Sequence, residues 1–256
     1  MAFKERGGVD GNFRALACYN GHMSSKVAEI AGLRARFQMG ELRAVLWDMD
    51  GVLADTLDLH FQAFEEACSR LGVPYDPQAP GWGPGMSDPN IFGRMLAQAG
   101  LQPADGLLKS LLEVKRAVFS QLLVNELHTT PGVRPWLEHL QRRTIPCAIA
   151  SSSAMGTIVQ IANQLQIADY FDAILSGAHL PASKPDPGVF LMAAGALRRD
   201  PQQCLVIEDA KVGIQAARKA GMACLALATT FPIKELRDAD LVLRDLAEIS
   251  PQDIFS

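Results

Sequence analysis

Short apolar runs and longer helical periodicities alternate along most of the chain. Residues 42–47 (Leu42-Arg43-Ala44-Val45-Leu46-Trp47) form an apolar run of buried-strand type that stops at a polar, glycine-containing turn, Asp48-Met49-Asp50-Gly51. After Asp55-Thr56, the residues Leu57, Phe61, Phe64, Cys68 and Leu71 recur at spacings of three and four, and Gly72 supplies a helix C-cap. Further strands are predicted at 145–150, 173–175, 204–207, 223–228 and 241–243, and helical patterns at 133–142, 157–165, 187–197 and 212–220 separate most of them. Strands alternating with helices of that length predict an α/β fold, built from βαβ units around a parallel sheet covered on both faces.

Two segments depart from the alternation. Between residues 57 and 129 no strand pattern occurs; three helical stretches are instead separated by the Pro/Gly-rich segment 74–85 and by 100–103. This interval reads as a helical module inserted after the first strand, and Thr130-Pro131-Gly132 restarts the sheet, with Thr130 as an N-cap and Pro131 at a first helical position. At the N-terminus, residues 24–37 carry one amphipathic helical pattern (Val27, Ile30, Ala31, Leu33) behind a Gly-rich polar stretch. The domain reading is therefore an extension of unknown role at 1–40, a core at 41–57 and 130–256, and a helical cap at 58–129.

The composition of the 256 residues, 48% apolar and 20% charged, is that of a globular chain and excludes a disordered or fibrous one. A net charge of −4 excludes a broad counterion-releasing nucleic-acid surface. No run of about 18 apolar residues is present, so no membrane span is expected. Charges of both signs among the first 40 residues (Lys4, Glu5, Arg6, Asp10, Arg14) do not form a secretory signal. Cys18, Cys68, Cys147, Cys204 and Cys224 are scattered without CxxC spacing, which reads as small core residues in a reducing, cytoplasmic compartment.

Candidate chemistry gathers where apolar strands end. Asp48 and Asp50 are two positions apart, so in extended backbone both carboxylates leave the same face. Like charges so close call for a cation or a shared proton, as a metal site or an acid/base pair; an ordinary Asp-x-Asp turn is the plain alternative. Ser151-Ser152-Ser153 follows the second strand and offers hydroxyls and N–H groups before a helix, as an anion cradle or as simple capping. Lys184 lies between constrained residues in Ser183-Lys184-Pro185-Asp186-Pro187. Glu208-Asp209 closes the strand Leu205-Val206-Ile207. In open α/β sheets ligands bind beyond the carboxyl ends of strands, where these groups fall. Hard oxygen ligands, a nucleophile and a cation are what metal-assisted phosphoryl transfer requires.

The stretch Asp48-Met49-Asp50-Gly51-Val52-Leu53-Ala54-Asp55-Thr56 resembles the first motif, DxDGxxxDT, of the haloacid-dehalogenase superfamily, and Ser151, Lys184 and Glu208-Asp209 resemble its remaining three motifs in order. The likeness covers about residues 42–246 and implies a Rossmann-like core with a small α-helical cap, as in the branch of phosphoglycolate phosphatases and β-phosphoglucomutases. It further implies Asp48 as nucleophile and Asp50 as acid and then base. Mg2+ would be held by Asp48, the Asp50 carbonyl and Asp209, with Glu208 as a direct or water-mediated partner. Ser151, Ser152 and Lys184 would hold phosphoryl oxygens. Asp55 is expected to tie the loop down. Dehalogenases of the superfamily lack the second aspartate, so Asp50 points away from dehalogenation.

The expected activity is hydrolysis of a small phosphomonoester, a sugar phosphate or phosphoglycolate-like, by a monomer or weak homodimer. A phosphoglucomutase is the alternative: His60, a candidate for substrate or acid/base support, matches a histidine that those mutases place near the phosphorylated aspartate. Against it, Asp88 stands in Gly85-Met86-Ser87-Asp88 where the mutases carry an arginine for a second phosphate, and Ala154 and Met155 stand where they carry Lys and Asn. A non-catalytic binding protein is the other alternative, disfavoured because it needs neither nucleophile nor acid. Trp82, Met86 and the 74–85 segment are candidates for specificity, whereas Arg94, Lys109, Lys115 and Arg116 read individually as solvated helix residues.

Overall fold

The computed structural model describes residues 25–80, 83–101 and 105–256; Cys18 and Trp82 fall outside them. The sheet is six-stranded, in the order β5 (Ala173–Ser176), β4 (Cys147–Ser151), β1 (Ala44–Trp47), β6 (Cys204–Glu208), β7 (Ala223–Leu227) and β8 (Leu241–Leu243), and every pairing is parallel. β1, β4, β6 and β7 are buried along their whole length, which is why they read as continuous apolar runs rather than as alternating ones.

Alternate side chains of these strands feed two separate apolar clusters. Val45 and Trp47 join Val133, Trp136 and Leu140 of α5 (Val133–Arg142) and Ile158 and Ile161 of α6 (Met155–Gln164) on one face. Ala44 and Leu46 join Val189 and Phe190 of α7 (Gly188–Ala196) and Ile214 of α8 (Lys211–Lys219) on the other. Between β1 and α5, among the described residues, lie a two-stranded antiparallel ribbon, β2 (Ala54–Asp55) with β3 (His128–Thr129), and three helices: α2 (Leu57–Leu71), α3 (Asp88–Gln98) and α4 (Asp105–Glu126). Phe64, Cys68, Phe92, Leu96 and Leu111 give these helices a core of their own. α2 ends at Gly72, whose φ of +67° is the left-handed cap expected of it. No helix among the described residues is long and apolar enough to cross a membrane, and Cys68, Cys147, Cys204 and Cys224 are buried unpaired thiols.

Three local expectations are corrected. The N-terminal helix α1 (25–38) is not an appendage. Its apolar face must be buried, and the C-terminal tail buries it: Leu33 is in the core, and Phe37 meets Phe255 edge-on with centroids 5.3 Å apart. Arg34 donates to the carbonyls of Asp253 and Gln252 at 2.7 and 3.3 Å, and Lys26 pairs with Glu248 at 2.6 Å. Thr130 does not cap α5. The helix starts after Gly132, at a φ of +86°, and a Cβ there would lie 2.4 Å from the backbone at Leu246–Ala247. The Thr130 hydroxyl instead donates to the Val52 carbonyl and fastens the loop after β1. Asp55, expected to do that, is exposed in β2, where it pairs with His128.

Leu33→Ala should lower stability by about 2–4 kcal/mol in urea titration, the range for truncating a buried leucine. A loss below about 0.5 kcal/mol would mean that α1 is not packed in solution.

Candidate active site

β1 and β6 are neighbours in register, Trp47 opposite Ile207, so the residues that come after them, Asp48 and the strand-ending Glu208, emerge side by side. Both are buried. Lys184, on the loop before α7 and only 2% exposed, reaches between them: its ammonium donates to Asp48 Oδ1 at 2.7 Å and to Glu208 Oε1 at 2.6 Å. The Phe190 ring lies 4.7 Å below the ammonium. The other Glu208 oxygen accepts the N–H groups of Asp209 and Ala210, both at 2.8 Å. Gly213 makes room for it, since a Cβ there would come within 1.8 Å of Glu208 Oε1. Asp209 is held by the Thr230 hydroxyl, and a Cβ on Gly51 would lie 2.1 Å from its Oδ2.

Carboxylate oxygens of Asp48, Glu208 and Asp209 lie within 4.8 Å of one another. Burial dominates the protonation of this cluster. It outweighs Lys184 and, with the Glu208 and Asp50 charges, pushes the Asp48 carboxyl up to about 7; burial with Glu208 and Asp48 carries Asp209 well above its usual range. Burial would lower the Lys184 ammonium, but Asp48 and Glu208 overcome it and hold its affinity for the proton above normal. Three carboxylates around one lysine leave an excess of negative charge, and every donor is a hard oxygen. That set fits a hard divalent cation.

Asp50 lines the same cleft and has a different environment. His60 Nε2 meets Oδ1 at 2.9 Å, the Thr56 hydroxyl donates to Oδ1 at 2.7 Å, and the Ser153 hydroxyl donates to Oδ2 at 2.8 Å. Burial opposes ionisation, yet the hydrogen bonds from His60, Thr56 and Ser153 outweigh it, and the carboxyl is held below its ordinary range. Lys115 Nζ lies 2.8 Å from His60 Nδ1. An ammonium can only donate, so Nδ1 accepts and Nε2 carries the hydrogen toward Asp50.

Residues 45–227 match the sequence pattern of the family described as Haloacid dehalogenase-like hydrolase. The chain belongs to this family. It is 33% identical to the phosphorylated carbohydrates phosphatase of Thermotoga maritima, over 71% of this chain and 82% of that one. It is 31% identical to the beta-phosphoglucomutase of Bacillus subtilis, over 82% of this chain and 92% of that one. The crystal structure of a beta-phosphoglucomutase from Clostridium difficile superposes with a TM-score of 0.73 at 26% identity, covering 81% of this chain and 93% of that one.

Asp48, Lys184, Glu208 and Asp209 thus meet in one cluster, with Asp50 and His60 joined beside it in the same cleft. The serines divide: Ser151 is buried and its Oγ accepts the Ser153 N–H at 3.0 Å, whereas the Ser152 hydroxyl donates across to the Gly85 carbonyl at 3.0 Å. Arg94, Lys109 and Arg116 are on exposed positions as expected, but Lys115 is not solvated. It is 2% exposed, paired with Asp88 at 2.9 Å and seated between the Phe64 and Phe119 rings at 4.8 and 4.7 Å. Sequence reading passed over Thr56 and Thr230; for Thr56 the signal was its place inside the first motif, Thr230 is a loop hydroxyl with no pattern of its own, and Ser153, read as part of an anion cradle, donates to Asp50 instead.

Lys184→Met, which strips the cation from two buried carboxylates, should cost about 3–5 kcal/mol in the metal-free protein. A change below about 1 kcal/mol in denaturant titration would contradict the bridged geometry.

Proposed function

We propose that this hydrolase is a Mg2+-dependent phosphatase of small phosphomonoesters, working through a phosphoaspartate on Asp48. The observation that carries the reading is the buried Lys184 bridge between Asp48 and Glu208, beside Asp209 and in the cleft that holds Asp50. In the first half-reaction an Asp48 carboxylate oxygen bonds to phosphorus, the bond from phosphorus to the leaving oxygen breaks, and Asp50 gives that oxygen a proton. In the second, Asp50 takes a proton from water as the water oxygen attacks phosphorus, releasing inorganic phosphate and the Asp48 carboxylate. The three donors on Asp50 favour its ionised form, which is the form the second half-reaction needs.

Ser151 accepts a backbone N–H, so its own hydroxyl proton is available to a phosphoryl oxygen, and Lys184 supplies positive charge at the nucleophile. Ser152, expected in the same role, is engaged with Gly85 and serves better as a contact between the helical module and the sheet. Magnesium would be held by Asp48, Asp209 and the Asp50 carbonyl, with Glu208 behind them, and when bound it supplies charge that offsets the crowded carboxylates and the phosphoryl oxygens. A nucleophile and an acid in one cleft, with a buried cation bonded to the nucleophile, speak against a non-catalytic binding protein.

A second reading, a phosphosugar mutase, draws on one observation: His60 lines the same cleft, 2.9 Å from Asp50. Phosphate release from sugar phosphates supports the phosphatase; conversion of β-glucose 1-phosphate to the 6-phosphate without phosphate release supports the mutase.

Asp48→Asn should lower turnover of an aryl phosphate by about 10³-fold or more while the melting temperature stays within a few degrees. A variant with most of its activity left would remove Asp48 from the mechanism. Mg2+ should stabilise the wild type by about 2.7 kcal/mol at a hundred times its dissociation constant, and Asp209→Asn should abolish that gain in a thermal-shift titration.

A further inference from the structure

The part of the cleft remote from Asp48 is built from α2, α3 and the segment before α3. Its walls are apolar, from Leu57, Phe61, Phe64, Met86 and Ile91, and Asp88 is the one carboxylate that they frame. No lysine or arginine is among the described residues that line the cleft. Lys115, bonded to two of the lining residues, is fully engaged: Asp88 Oδ1 and Oδ2 at 3.1 and 2.9 Å and His60 Nδ1 at 2.8 Å account for its three N–H donors. Asp88 is less fully used. An ionised carboxylate has about four acceptor positions, two face Lys115, and the Asp88 side chain, 32% exposed, is among those that line the cleft.

Resting on the phosphatase reading, we propose that Asp88 determines specificity for the leaving group: it selects monophosphates of neutral, polyhydroxylated alcohols and excludes leaving groups that carry a carboxylate or a second phosphate. Hydroxyls of such an alcohol donate to the spare positions of Asp88 while its carbon skeleton covers Phe61, Met86 and Ile91. A second anion would be desolvated against a like charge, with the buried lysine behind it already neutralised. The pair has a second effect. A lysine buried between two phenyl rings requires an anion, and because Asp88 is that anion, the Lys115–His60–Asp50 array is assembled without one from the substrate. Within the substrate classes open to this site, the charge pattern separates neutral sugar and polyol phosphates from phosphoglycolate and from sugar bisphosphates.

The test compares kcat/KM, with Mg2+ present, for fructose 1-phosphate, fructose 6-phosphate, fructose 1,6-bisphosphate and phosphoglycolate in the wild type, Asp88→Asn and Lys115→Met. The wild type should prefer the better monophosphate over both the bisphosphate and phosphoglycolate by about 100-fold or more. Asp88→Asn, which uncovers the lysine's charge, should shrink that preference at least tenfold, chiefly through a lower KM for the doubly anionic esters. Lys115→Met, which removes the cation and leaves the carboxylate, should lower overall turnover and keep the preference as large or enlarge it. A wild type that favours the bisphosphate or phosphoglycolate overturns the proposal whatever the variants do, and so does an unchanged ratio in Asp88→Asn. Failure of the wild type to release phosphate from any ester, an aryl phosphate included, would instead remove the phosphatase reading and the inference with it.

Discussion

The buried bridge from Lys184 to Asp48 and Glu208 is the constraint around which the rest of the molecule is arranged. Taking ions out of water costs several kcal/mol each, a cost offset only when geometry is good and the remaining lone pairs are satisfied. The fold meets both conditions by convergence of distant segments. Adjacent strands β1 and β6 bring Asp48 and Glu208 together, the loop before α7 delivers the lysine from the far side of β4, and the start of α8 turns two N–H groups onto the free Glu208 oxygen. Gly213 is required on the same ground, because any side chain there would occupy the space of the Glu208 carboxylate. The chain crosses from β1 to β4 on one side and to β6 on the other, and this reversal of strand order opens the crevice in which the charges sit.

Two aspartates in one cleft are given opposite tendencies by what surrounds them. Asp48 is buried, faces the charges of Glu208 and Asp50, and holds its proton to about 7, whereas Asp50, with three donors, gives up its proton readily. A divalent cation among these carboxylates would favour the ionised form of Asp48. The donors on Asp50 come from both parts of the molecule: Ser153 from the loop after β4, His60 from α2. Further contacts, Asn90 to Ser183 at 2.7 Å and Ser120 to Gln160 at 2.8 Å, seat the helices against the sheet at the same seam. The state of Asp50 therefore depends on how the helical module sits, because His60 is aimed by Lys115 of α4 and Lys115 is neutralised by Asp88 of α3.

The features legible in the sequence are those that leave a local trace. Fully buried strands leave apolar runs, and β8 and α2 were readable to the residue because Leu241–Leu243 and Leu57–Leu71 are bounded by polar or glycine residues. Asp48 and Glu208 were legible because each stands at the end of such a run, and Lys184 because Pro185 and Pro187 constrain the loop around it. Lys115 was not, since one lysine in a long helix carrying other charges looks like a surface residue until Phe64, Phe119 and Asp88 are folded onto it. The docking of α1 was hidden for a related reason. Ile30 and Leu33 of its apolar stripe are buried or partly buried while Val27 and Ala31 stay exposed, and the surface that receives the helix, around Asp253 and Phe255, lies more than 200 positions away along the chain. Thr130 shows the same limit on a smaller scale, its hydroxyl taken by Val52 rather than by the helix it precedes.

The separation between stability and chemistry is itself a physical necessity here. A cluster of buried carboxylates with one lysine opposes folding in the absence of a further cation, so its stability must come from elsewhere. It comes from the two faces of the sheet, where neither apolar cluster contains a residue of the charged site. The extra layer formed by α1 and the C-terminal tail covers the face bearing Trp136 and Phe255, remote in sequence from the motifs and free of their charges. Residues at strand ends can then be chosen for reactivity, because strands behind them are held by burial alone. The same logic sets the helical module apart: with its own core of Phe64, Phe92 and Leu111, it can vary residues such as Asp88 and Met86 that face the cleft without disturbing the sheet that positions Asp48.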